Sequence, residues 1–136
     1  MIAIDTNVLL RYLLEDDSVQ SSKAAKLIGD NRTVLVTDVV LVETIWTLKG
    51  RKYQLDKPEL INVLKALFQE PNIRFEDGQA TWVALDQYRK SNGADFADAL
   101  IVNKAKLTAS KLNEVFEGTY TFDKAAQKLP GAKEPK

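Results

Sequence analysis

Short apolar runs recur along this chain, and all but the last are followed by longer stretches with helical spacing. The runs are Ile2 to Ile4, Thr33 to Val36, Ile73 to Phe75 and Tyr120 to Phe122. Brief apolar segments bounded by polar residues suit buried strands. Between them, Val8 to Leu14, Ser18 to about Ile28 and Val39 to Leu48 carry apolar residues at helical spacing. Thr37 or Asp38 caps the last of these. Lys57-Pro58 opens a fourth helix that Pro71 stops, because proline is tolerated only in a first turn. Asp77 to Lys90 is a fifth, closed by Ser91-Asn92-Gly93, and Asp95 to about Ala109 a sixth. Strands alternating with helices predict an α/β fold: a single-domain three-layer sandwich with a mainly parallel central sheet of about four to five short strands flanked by helices. Residues 1–130 are expected to form this domain and 131–136 a flexible tail. No repeat or low-complexity segment interrupts it.

What the chain lacks narrows its chemistry. It has 136 residues and contains neither cysteine nor histidine. Disulfides, thiolate metal sites, Ser-His-Asp hydrolysis and imidazole ligands are excluded together. Acid–base or metal chemistry must run on Asp, Glu, Lys, Tyr and hydroxyls. Lys plus Arg and Asp plus Glu balance at 19 each, so the chain has no overall basic signature of a nucleic-acid binder. A local basic patch remains compatible with that balance. No apolar run is long enough to span a membrane, and the N-terminus has no signal-like segment, so a cytoplasmic protein is expected.

In open parallel sheets, ligands gather beyond the carboxyl ends of the strands. Asp5 follows the first strand and Asp123 the last, while Glu43 lies in the helix after the second. Asp95 and Asp98 share a face at the start of the sixth helix. Taken singly, Asp5 and Asp123 equally suit helix N-caps, and Asp95 with Asp98 suits a capping box. Glu43, between Val42 and Ile45, would be costly if buried unpaired, and a lysine could satisfy it. As a set, such carboxylates raise one another's pKa and call for a hard divalent cation, Mg²⁺ or Mn²⁺. Ions held this way can activate water and neutralise charge on a phosphodiester without any histidine.

Four blocks carry a family resemblance: Ile4-Asp5-Thr6-Asn7-Val8-Leu9-Leu10-Arg11, Leu41-Val42-Glu43-Thr44-Ile45-Trp46-Thr47-Leu48, Ala94-Asp95-Phe96-Ala97-Asp98-Ala99-Leu100-Ile101 and Tyr120-Thr121-Phe122-Asp123-Lys124-Ala125-Ala126. In this order and spacing, with Leu129-Pro130-Gly131 at the end, the chain resembles PIN-domain ribonucleases, particularly VapC-type toxins of toxin–antitoxin pairs. The resemblance implies a catalytic, metal-binding set of Asp5, Glu43, Asp98 and Asp123, with Asp95 nearby. It makes Thr6, Asn7 and Thr121 the groups that hold carboxylates or water in place. It implies a Mg²⁺- or Mn²⁺-dependent endoribonuclease acting on RNA such as tRNA, a homodimer, and an antitoxin partner. Against the family pattern, Thr108 to Thr119 is not an obvious strand, which leaves the sheet's last edge unassigned.

Phosphate contacts would come from Arg11 and the cluster Lys49, Arg51 and Lys52, with Tyr12 and Tyr53 as possible base readers; each also suits a surface or packing role. Two other classes compete with the enzyme. A non-catalytic PIN-like module binding RNA or protein would be expected to lose acids, and none of the four is missing. A phosphoaspartate receiver-like domain pairs acids after its first strand, where this chain has Thr6 and Asn7. A haloacid-dehalogenase-like phosphatase would need an aspartate in place of Asn7.

Overall fold

The computed structural model describes Met1–Lys136, which divide into two compact units, Met1–Glu76 and Asp77–Lys136. The first unit runs β1 (Ile2–Ala3), α1 (Thr6–Leu14), α2 (Ser18–Gly29), β2 (Val34–Val36), α3 (Asp38–Lys49), α4 (Lys57–Gln69) and β3 (Ile73–Phe75). Its strands pair in parallel in the order β1-β2-β3, with Ile2 opposite Val34 and Val36 opposite Phe75. Ile4 extends the first ladder by donating its N–H to the Leu35 carbonyl. Val34 and Val36 on the central strand are fully buried, as are Leu9, Leu41, Leu64 and, within a percent, Leu48, Leu60 and Leu67. This core draws on α1, α3 and α4, whose leucines recur at helical spacing.

Local chemistry sets the helix ends. Asp5 caps α1 by accepting from Val8 N–H at 2.9 Å, and Glu15 ends it in the left-handed region at φ 52°. Asp17 then caps α2 through Val19 and Gln20, so the acidic Glu15-Asp16-Asp17 run both stops one helix and starts the next. Thr37, rather than Asp38, caps α3. Asp56 and Glu59 form a reciprocal capping box at α4, with Pro58 in its first turn.

The second unit holds α5 (Gly78–Lys90), α6 (Phe96–Lys111), β4 (Thr119–Tyr120), a 3₁₀ turn at Ala126–Lys128 and β5 (Ala132–Lys133). The two helices pack with Tyr88 edge-on to Phe96 at 6.2 Å. Buried Asn103 donates to Gln87 Oε1 and to the Ala99 carbonyl, both at 2.8 Å. Lys104 and Lys111 both pair with Asp77. Burial of α5 against α6 therefore leaves no orphan amide at Asn103.

The α/β class holds, with six α-helices and five short strands, every strand pair parallel. The strands are grouped differently from a single sheet. Three form one sheet, and β4 pairs with β5, because Thr119 and Thr121 donate to the carbonyls of Gly131 and Lys133. Residues 131–136, expected as a flexible tail, thus carry β5. The segment before β4 is the end of a longer α6 followed by irregular chain. Helix α5 ends at Ser91 in extended backbone, and the left-handed residue is Gly93, at φ +111°. No helix is long and apolar enough to cross a membrane.

Candidate active site

In the first unit every strand of the sheet is followed within two residues by an acid: Asp5 after β1, Asp38 after β2 and Glu76 after β3. Asp5 is exposed, and its Oδ1 is the atom that caps α1. Glu43 stands on α3, where its Oε1 accepts from Thr6 Oγ1 at 3.4 Å, the long limit of a hydrogen bond. The first residue of α1 is thereby linked to α3. Glu43 is exposed, which corrects the expectation that its apolar neighbours draw it inward. The helical period turns Leu41, Thr44, Ile45 and Leu48 to the core and Glu43 to solvent. Its water-facing carboxylate needs no lysine.

Asp38 and Glu76 escaped the sequence reading. Glu76 accepts from the Asp38 backbone N–H at 2.9 Å, and their carboxylate oxygens come within 4.8 Å of each other. The signal was available, since both directly follow strand ends. From the sequence, Asp38 suits a helix cap and Glu76 a polar position of the third strand.

Other residues of this unit have visible commitments. Arg11 pairs with Asp16 at 2.8 Å and donates to the Tyr53 hydroxyl, so its guanidinium is engaged within the fold rather than presented to phosphate. Tyr53 donates in turn to Asp16, and Tyr12 to Glu70. These bonds tie both tyrosines to the fold's own acids and leave them poorly placed as base readers. Asn7 is exposed and lines a cleft between α1 and α2 with Arg11 and Lys23. Lys49, Arg51 and Lys52 are exposed at and beyond the end of α3, with the Lys52 ammonium 5.3 Å from the Tyr53 ring centre.

The second unit gathers the remaining acids. Asp95 caps α6 by accepting from Asp98 N–H at 2.8 Å, and Asp98 returns the bond by accepting from Asp95 N–H at 3.0 Å. Asp123 accepts from Ala126 N–H at 3.0 Å and donates its own N–H to Thr121 Oγ1 at 3.1 Å. Thr121 thus holds the Asp123 backbone, leaving the carboxylate to cap the 3₁₀ turn. Gly93 sets the loop before α6 against that turn. A Cβ on Gly93 would lie 3.1 Å from the Ala125 Cβ, an approach that favours glycine at this left-handed position.

Capping and charge meet at Asp98. Burial, followed by the negative charges of Asp95 and Asp123, pushes its carboxyl above the usual carboxylate range, while the Asp95 N–H opposes the rise. A half-buried carboxylate among like charges is what a divalent cation would relieve. The donors are all oxygen, a set suited to Mg²⁺ or Mn²⁺ and poorly suited to soft metals. The donor chemistry of these carboxylates suits such an ion.

The family model for the PIN domain matches residues 2–130, a span that contains every acid described above. A comparison with curated proteins finds none that matches.

Proposed function

The chain belongs to the PIN domain family, and from that premise we propose that it is a metal-dependent endoribonuclease, the toxin of a toxin–antitoxin pair. The observation that carries the reading is Asp98, a half-buried carboxyl raised by its burial and by Asp95 and Asp123. Such an arrangement disfavours a lone acid and favours a cation-binding one. Asp5 and Glu43 on the first unit, and Asp98 and Asp123 on the second, are the proposed catalytic carboxylates, with Asp95 positioning Asp98 through the capping box.

A bound Mg²⁺ or Mn²⁺ would supply charge neutralisation for the phosphodiester and an activated water. The chain's own residues would orient these carboxylates. Thr6 steadies Glu43, Thr121 fixes the Asp123 backbone, and the α6 capping box fixes Asp98. Asn7 lies at the start of α1, beside Asp5, where its amide can hold water. RNA is the substrate, with tRNA the first candidate to screen. An antitoxin and a second copy of the chain are the proposed protein partners.

The deciding experiment is calorimetric titration with Mn²⁺ of wild type and Asp98→Asn, followed by cleavage assays on a panel of RNAs. Metal binding and cleavage that both depend on Asp98 support the reading. Wild-type cleavage by the Asp98→Asn or Asp5→Asn variant would overturn the site assignment.

A further inference from the structure

Helix α3 buries Leu41, Thr44, Ile45 and Leu48 and turns a second stripe to solvent. Along that stripe lie Val39, Glu43 and Trp46, then Lys49 at the end of the helix. Trp46 is one of the apolar residues of this helix, yet it is 57% exposed. Residues three or four apart on a helix are neighbours on its surface. Trp46 therefore adjoins Glu43, displaced along the axis by about 4.5 Å. Helical side chains in general lean back toward the N-terminus, here the direction of the turn that bears Glu43. Lys49 follows one turn later, and the chain leaves the helix at Gly50 into exposed Arg51 and Lys52.

The surface thus reads carboxylate, aromatic, cations, in one line. A protein partner would have to bring its own cation to this line. The exposed apolar residues Val39 and Trp46 are separated by Glu43, whose carboxylate would otherwise be buried without a matching charge. A single-stranded nucleic acid fits each step. Its phosphate would meet a divalent ion held at Glu43, its base would stack on the indole, and its next phosphates would meet Lys49, Arg51 and Lys52.

We propose that Trp46 is the stacking platform for an unpaired base of the RNA strand, beside the phosphate held at Glu43, and that Lys49, Arg51 and Lys52 track the strand beyond it. This rests on the nuclease reading and adds to it a residue that positions the strand by its base. Trp46 is a positioning residue, acting on the base rather than on the reacting atoms.

The chain has two tryptophans, so Trp82→Phe leaves Trp46 as the sole indole. In that background, a non-cleavable 2′-O-methyl oligonucleotide is expected to quench the fluorescence of the full chain. In cleavage assays on an unstructured RNA, Trp46→Ala should raise KM about tenfold or more, within the range of one lost base–aromatic stack. Trp46→Phe should recover most of that loss, with kcat and Mn²⁺ binding near wild type for both. Removing the base next to the cut, as an abasic nucleotide, should cost wild type as much and Trp46→Ala little. An unchanged KM in Trp46→Ala with no quenching overturns the proposal while leaving the nuclease reading intact. So does a Trp46→Ala variant that changes only the oligomeric state or capture of a protein partner. Quenching by the oligonucleotide in a wild type that cleaves nothing supports the platform and removes the nuclease reading. Neither quenching nor cleavage overturns both.

Discussion

Ionised Asp98 is held in the fold against desolvation and against the charges of Asp95 and Asp123, which together lift its carboxyl pKa above the ordinary value. An acid whose folded pKa exceeds its unfolded one destabilises the fold when charged. The penalty is present above the folded pKa and is relieved as pH falls through it toward the unfolded value. Asp98→Asn is neutral and can still accept from Asp95 N–H through its amide oxygen. The metal-free variant should therefore melt higher than wild type at pH 7. The gain should be no more than about 1 kcal/mol, because the group is partly solvated, and it should fade as pH is lowered through the folded pKa. Calorimetric melting at several pH values checks this. Adding Mn²⁺ should invert the order, raising the wild-type melting temperature while leaving Asp98→Asn nearly unmoved. A metal-free variant less stable than wild type at pH 7 would show that the charge is already compensated within the fold.

Among the elements, the turn that contains Asp123 and the loop that leads into α6 are set by Gly93. Its φ of +111° and the 3.1 Å approach of a would-be Cβ to Ala125 leave little room for a side chain. Gly93→Ala should cost about 1–3 kcal/mol from backbone strain, read as a lower denaturant midpoint, and should reduce cleavage beyond what the lost stability explains. Gly29→Ala, with nothing within 4 Å of its Cβ, serves as the control and should be at least as stable as wild type. A Gly93→Ala variant as stable and active as wild type would show that this approach does not position the acids. Helix starts were legible in the sequence because caps are local chemistry: Thr37, Lys57-Pro58 and the Asp95–Asp98 box all stand where their residue types suggest. The pairing of β4 was not. Thr119–Tyr120 is too short to carry a periodic signal, and its partner Ala132–Lys133 lies in a Pro- and Lys-rich end that reads as tail. The orientation of α3 was equally hidden. Apolar residues surround this helix, so periodicity could not decide that Trp46 and Val39 face solvent while Ile45 and Leu48 do not.

For the whole molecule, the balance of 19 basic and 19 acidic side chains means that no net charge draws RNA in. Attraction must be local, and it must grow when cations neutralise the acids. The candidate acids were legible because four ordered blocks span both units. The acids after β2 and β3 were not, since Asp38 and Glu76 belong to no such block and gain meaning only from where the strands end. Local attraction makes a quantitative claim about salt. For single strands, log K falls with log salt by roughly 0.7 for each phosphate neutralised. Lys52 is exposed, so Lys52→Ala should leave folding unchanged. Binding of an unstructured RNA should weaken at low salt, with a slope shallower by roughly 0.7 and kcat at saturating RNA unaltered. Arg51→Ala should behave alike, and the double variant should lose about twice as much slope. Arg11→Ala should differ, since its guanidinium is bound to Asp16 and Tyr53. It should lower stability and leave the salt slope in place. Equal slopes in wild type and the Arg51/Lys52 double variant would locate the phosphate track elsewhere on the surface, whatever the outcome at Trp46.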